Sequence, residues 1–189
     1  MDFKSSKTKE NLARSFAIAT QDMARLKILT KEAERESYEY LSNFLNEKSN
    51  QKFVLANILY ELIIKNIQGK EKINIASGYP FESKKLKFSL IDASEIEFHE
   101  GKNLFPTFEK IANDEGFSEI SCVFKNASLI ALNNYQMFSS LAQKFQDKKL
   151  FSSQNYTCSN CGFHKETSHP WKECPFCGKD KGYIEISFI

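Results

Sequence analysis

Residues 120–145 read ISCVFKNASLIALNNYQMFSSLAQKF. Apolar or small residues fall at Ile120, Phe124, Ala127, Ala131, Phe138, Leu141 and Phe145, with Asn134 as the polar member, in alternating steps of four and three. An α-helix turns once in about 3.6 residues, so this spacing keeps all of them on one inward face. The same rhythm occurs three times upstream. Leu12, Phe16, Ala19, Met23 and Leu26 mark a helix expected over residues 8–35, with Ser6 and Thr8 as candidate caps. Leu41, Leu45, Lys48, Lys52, Leu55, Leu59 and Leu62 mark a second over about residues 37–66. Leu90, Ala93, Glu97, Glu100, Leu104, Phe108 and Ile111 mark a third, with a kink expected at Pro106 and an end at Gly116. The first two helices have almost no connection, which leaves an antiparallel hairpin or a kinked rod. Residues 67–84, including Ile73-Asn74-Ile75 and Gly78-Tyr79-Pro80, form a link long enough for a crossover along the bundle. Long helices with such stripes and one long connection predict a four-helix bundle.

The stripes stop after Lys148-Lys149, and Ser152-Ser153-Gln154-Asn155 reads as a linker. The expected organisation is a bundle over residues 1–150 and a small second domain over 151–189. The segment from Tyr156 onward is aromatic and rich in turn residues, and is too short to fold on core burial alone. Over the whole chain of 189 residues, 26 basic and 24 acidic side chains leave a net charge of +2 with no long basic run. That excludes an electrostatic binder of nucleic acid. The best apolar run, Ala56–Ile64, is interrupted by Glu61 and is far short of a membrane span. The opening residues Met1–Ser6 lack the apolar core of an export signal, so a cytoplasmic location is expected.

Four of the five cysteines lie within twenty residues. Cys158-Ser159-Asn160-Cys161-Gly162 and Cys174-Pro175-Phe176-Cys177-Gly178 are paired Cys-x-x-Cys elements separated by twelve residues. In a reducing compartment such pairs read as a metal site rather than two disulfides. A glycine after each second cysteine lets the backbone turn, so that amide N–H groups point at the thiolates. Four thiolates suit iron or zinc, and the spacing does not choose between a redox iron and a structural zinc. Cys122 stands alone and reads as a small core or boundary residue.

With these knuckles in view, the whole chain resembles the rubrerythrin family. The resemblance is carried by Lys7-Thr8-Lys9-Glu10-Asn11-Leu12 with Ser15-Phe16-Ala17, and by Glu36-Ser37-Tyr38-Glu39. It continues through Ala112-Asn113-Asp114-Glu115-Gly116-Phe117 with Glu119-Ile120, and ends with the knuckles and Gly182-Tyr183-Ile184-Glu185. It implies a ferritin-like bundle with a di-iron carboxylate site, followed by a rubredoxin-like four-cysteine iron domain. In that family the pair reduces hydrogen peroxide, usually as a homodimer, with electrons entering through the four-cysteine iron.

Position by position, the resemblance puts the family's first-helix glutamate on Ala19 and its second-helix Glu-x-x-His on Lys52 and Leu55. The third-helix Glu-x-x-Glu is kept as Glu97 and Glu100, and the fourth-helix Glu-x-x-His falls on Ala131 and Asn134. His99 lies between the two glutamates and faces away from them. Asp22 and Asn134 could lend oxygens, but two irons need more, so the expectation is a vestigial site of Glu97, Glu100, Lys52 and Asn134, with no intact di-iron centre. Glu97 and Glu100 either turn to solvent or lie inside near Lys52 and Asn134. If they lie inside, the Lys52 ammonium is expected within about 4 Å of one of them as a substitute for the lost metal charge. Two functions compete. One is electron transfer, through one iron ion at Cys158, Cys161, Cys174 and Cys177, to a redox partner protein. The other is a noncatalytic interaction protein with zinc in that site.

Overall fold

Ser6 lies in extended backbone, and its hydroxyl accepts the Lys9 amide at 3.1 Å, capping helix α1 (Lys7–Arg35). The Glu115 carboxylate takes the adjacent amides of Lys7 and Thr8 at 3.0 and 2.9 Å. Three successive donors of the first turn are thus satisfied, two of them by a residue distant in sequence. The computed structural model describes residues 2–67, 69–75, 85–146, 154–167, 171–180 and 184–186. The chain divides into two compact units, residues 1–139 and 140–189.

Ser37 reverses the chain with φ of 62°. Helix α2 (Glu39–Ile67) then returns along α1. Lys27 Nζ donates to Asn46 Oδ1 at 2.6 Å, and Ser49 Oγ donates to the Met23 carbonyl at 3.0 Å. Both pairs have the descending register of an antiparallel hairpin, which resolves the alternative of a continuous rod. Residues 69–75 form no regular element, so Ile73–Ile75 is not a strand. Gly78-Tyr79-Pro80 lies outside the described residues.

The third helical segment, in which a kink was expected at Pro106, is interrupted just ahead of that proline. It consists of α3 (Leu86–His99), a π-helical turn (Glu100–Leu104) and α4 (Phe105–Asp114). The Phe105 amide bonds the Glu100 carbonyl, five residues back. A π-turn inserts one extra residue and so advances the phase of the face by one. Beyond it, Phe105, Phe108 and Ala112 are buried, where unbroken spacing gave Leu104, Phe108 and Ile111. Pro106 has no N–H for the fourth carbonyl back, which is compatible with irregular bonding just before it. Ser128 Oγ, from α5 (Ser118–Gln146), donates to the Gly101 carbonyl at 2.8 Å. A Cβ on Gly101 would lie 2.8 Å from Leu132 Cγ, so only glycine allows this approach.

The bundle core joins Leu12, Ala19, Leu59, Leu62, Phe105, Phe108, Phe124 and Ala131. Phe124 packs edge-on against Phe108 with ring centroids 5.5 Å apart. Among the described residues no helix is long and apolar enough to cross a membrane.

The second unit carries a three-stranded antiparallel sheet in the order β2-β1-β3. Its strands are β1 (Gln154–Cys158), β2 (His164–Thr167) and β3 (Ile184–Ile186). Gln154 and Asn155, read above as linker, are already in β1, opposite Thr167 and Glu166. Polar strand ends carry no apolar alternation, so the sequence pattern missed them.

Candidate functional site

Four helices of the bundle and its π-turn each send one polar side chain to a common point. Asp22 comes from α1, Lys52 from α2, Glu97 from α3, Glu100 from the start of the π-turn and Asn134 from α5. All five are buried; Asp22 is 0% exposed, Lys52 6%, and Glu97 and Glu100 2% each. The Lys52 ammonium lies 3.0 Å from Asp22 Oδ2, 3.0 Å from Glu97 Oε1 and 2.7 Å from Glu100 Oε2. It donates a hydrogen bond to Glu100 Oε2, and the other two oxygens lie at ion-pair distance. Asn134 Nδ2 donates to Glu97 Oε1 at 3.4 Å, and Arg25 reaches Asp22 Oδ1 at 3.4 Å.

Burial alone would strip Lys52 of its charge, but Asp22, Glu100 and Glu97 outweigh it and hold the ammonium well above the usual lysine range. Burial also raises the carboxyl groups. Glu97 is pushed up and Glu100 well up despite Lys52, because the charges of neighbouring carboxylates add to burial. For Asp22 the charges of Lys52 and Arg25 overcome burial and keep it below its ordinary value. One ammonium thus faces three carboxyl groups, two of which burial biases toward the neutral form. Near-neutrality of this kind is what a low-dielectric core tolerates.

Sequence reasoning selected Glu97, Glu100, Lys52 and Asn134; Asp22 completes the group. Its signal is positional, because it lies three residues after Ala19 and so on the same helix face. Leu55, Ala19 and Ala131 contribute only apolar surface. His99 is exposed and sits beside Asn103. A two-metal carboxylate site draws glutamates and Glu-x-x-His pairs from its helices. Here Glu97 and Glu100, with Asp22 one turn beyond Ala19, supply three carboxylates beside an amide and an ammonium, with no imidazole, and this donor set does not fit two metal ions.

A cavity of about 660 Å³ opens between α2 and α5 over this cluster. Leu55, Ile58, Phe105 and Ile130 form apolar walls, and Lys52, Glu97, Glu100 and Asn134 contribute polar groups. Lys48, one turn from Lys52, also lines it; burial pulls its ammonium below the usual range, partly offset by Glu47 and Glu97.

The C-terminal unit gathers the other candidate ligands. Cys158, Cys161, Cys174 and Cys177 have sulfurs all within 4.8 Å of one another. The Cys158–Cys177 and Cys161–Cys174 sulfurs are each 3.7 Å apart. A tetrahedral ion with metal–sulfur bonds of about 2.3 Å needs sulfur–sulfur edges of about 3.8 Å, so the four residues fit one such ion. Each knuckle turns in the same way: Gly162 and Gly178 have φ of 73° and 69°, and their amides bond the carbonyls of Cys158 and Cys174. The Lys179 amide favours the Cys177 thiolate, which lies at about 6, and Asn160 Nδ2 is 3.5 Å from its sulfur. The Phe163 amide favours thiolate at Cys161, yet sharing protons with the other three sulfurs raises it to about 12. Cys158 and Cys174 are buried, whereas Cys161 and Cys177 are partly exposed beside the stacked rings of Phe163 and Phe176. Cys122, by contrast, is exposed on α5 rather than at a core boundary.

A helical bundle of this pattern joined to a four-cysteine knuckle unit defines a ferritin-like plus rubredoxin-like architecture. The sequence model of the rubrerythrin family matches residues 10–129. A rubrerythrin of Clostridium perfringens is 31% identical over 97% of this chain and 95% of its own length. A rubrerythrin of Nitratidesulfovibrio vulgaris is 26% identical over 97% and 95%. The solved mixed-valence nigerythrin shares the fold, with a TM-score of 0.65, 22% identity, and coverage of 99% of this chain and 94% of that one. The chain belongs to the rubrerythrin family, and it carries that family's C-terminal four-cysteine metal-binding group.

Proposed function

We propose that the protein is an electron-transfer member of the rubrerythrin family, with one iron ion in the four-cysteine site and no di-iron centre in the bundle. The observation that carries this reading is the contrast between the two clusters: four sulfurs at tetrahedral spacing in one, and an ammonium inside the carboxylates of the other. Cys158, Cys161, Cys174 and Cys177 would hold the iron, which when bound supplies a single-electron couple. Cys161 and Cys177 are the ligands that reach solvent, and Phe163 and Phe176 flank them. A donor or acceptor protein would approach on that side. The peroxidase function implied by the family is lost in this reading, because Lys52 fills the space between Asp22, Glu97 and Glu100. The bundle serves as the scaffold of a homodimer, and exposed Val54, Ile58, Leu129 and Ile130 support such a contact. A reducing cytoplasm suits the four thiols.

The test is a visible spectrum with metal analysis of the purified protein. Iron at one equivalent, a red colour in the oxidised state and bleaching on reduction are expected. A colourless protein with one equivalent of zinc overturns the electron-transfer reading.

A further inference from the structure

We propose that the cavity between α2 and α5 binds an uncharged, chain-like amphiphile with a hydroxyl group at one end, of the class of medium-chain primary alcohols. The two helices run antiparallel. Phe44 meets Phe138 with ring centroids 5.3 Å apart, and toward the other end Lys65 reaches Glu119 at 2.7 Å. Along this axis the cavity lining changes character. On α2 it passes from Lys48, Gln51 and Lys52 to Val54, Leu55 and Ile58. On α5 it passes from Asn134 and Asn133 to Ile130 and Ala127. The antiparallel register sets the two polar stretches together and the two apolar stretches together. From Lys48 to Ile58 the helix spans ~15 Å, and a volume of about 660 Å³ lies in the range of small-molecule sites.

The polar end holds an acceptor and a donor that the protein leaves open. Glu97 Oε1 takes Lys52 and Asn134, whereas Glu97 Oε2 is buried and has no hydrogen-bond donor among the described residues. Lys48 is 3% exposed; it gives one N–H to Gln51 Oε1 at 3.2 Å and lies 3.8 Å from Glu47. That is short of the three acceptors an ammonium engages. Glu97 is close enough for its charge to act on Lys48. A hydroxyl has one donor and two lone pairs, so one small group can serve both Glu97 Oε2 and Lys48. A charged head is disfavoured in either sign. Glu47, Glu97 and Glu100 oppose a carboxylate, and Lys48 and Lys52 oppose an ammonium. At the far end, exposed Val54, Ile58 and Ile130 give an alkyl chain apolar surface to cover. The proposal is independent of which metal the cysteines hold.

The experiment titrates 1-octanol, octanoate and octylamine into the full chain, metal-loaded at its cysteines, by isothermal calorimetry. One 1-octanol per chain is expected, with both charged probes weaker by about tenfold or more. Nuclear Overhauser contacts should place the carbinol methylene near Lys48 and the terminal methyl near Ile58 and Ile130. Lys48→Met removes the donor and should weaken octanol binding by about fivefold or more. Ile130→Asp puts a charge at the apolar end, on an exposed position that the fold tolerates, and should weaken it at least as much. Circular dichroism checks that each variant keeps its helices. Equal affinity for the three probes would show unspecific apolar uptake and overturn the site. So would tightest binding of octanoate, a reversed orientation, unchanged affinity in folded Ile130→Asp, or no binding up to the solubility limit of octanol. Ile58 and Ile130 also belong to the proposed dimer contact, so octanol that only shifts a dimer equilibrium, without contact to Lys48, overturns it as well.

Discussion

In the bundle, one lysine and three carboxylates meet within 3.0 Å, and the cation is part of the chain. In the C-terminal unit, four sulfurs face one another at spacings down to 3.7 Å, and no side-chain cation among the described residues lies between them. Both clusters gather groups that are anionic when fully ionised. The bundle sets a cation of its own among its buried carboxylates. The small unit has too little core to hold its knuckles together without an ion. The lesson is that one chain can set a lysine of its own among buried carboxylates and elsewhere gather four thiols suited to an added ion.

The largest expected effect separates the two regions. Cys174→Ser should abolish metal binding and unfold the C-terminal unit, because metal binding to such small units contributes about 10–16 kcal/mol. Far-ultraviolet circular dichroism should retain most of its helical signal. Loss of most of that signal would show that the bundle depends on the knuckles and break the contrast.

Next in size is Lys52→Met. It leaves buried carboxylates without their cation and should cost about 3–5 kcal/mol in urea unfolding. Lys31→Met, which removes a surface pair with Glu34, should cost under about 1 kcal/mol. Similar costs for the two lysines would mean that Lys52 is no more than a surface charge turned inward.

A third prediction concerns pH. Glu100 is held well above its ordinary value of 4.5, so above that pH the folded state carries a proton that the unfolded chain has released. The corresponding stability is fully present below 4.5 and is lost as pH rises through the raised folded value, with a slope of up to about 1.4 kcal/mol per pH unit. Lys52 stays charged throughout this range and loses its contribution only as pH rises above 10.5. Glu100→Gln should therefore flatten the decline above 4.5, as measured by Tm across a pH series, whereas wild type retains it. The smallest effect belongs to the α1 cap: Glu115→Ala should cost about 1 kcal/mol in chemical denaturation.

The helices were legible because their stripes run over many turns. Even Lys48 and Lys52 fall on the inward face of α2, and the structure buries both. The π-turn was not legible, since Glu100–Leu104 contains no residue that demands it; it depends on Gly101 meeting Leu132 and Ser128 across the bundle. Asp22 was legible only as a possible oxygen donor, because a lone aspartate in a long helix is ordinary in sequence and the approach of Lys52 is what places it in the group. The cysteines were the most legible feature, because their ligand chemistry and turn glycines are local. Their metal is not written in the spacing, since iron and zinc accept the same tetrahedron.

The most direct test of the bundle's internal cation is iron loading of the full-length wild-type protein with excess Fe²⁺ without oxygen, followed by Mössbauer spectroscopy and an iron-to-chain ratio. One sulfur-ligated iron per chain, with no oxygen-ligated signal, is the predicted result. Three irons per chain, two of them in an oxygen-rich coupled pair, would contradict it.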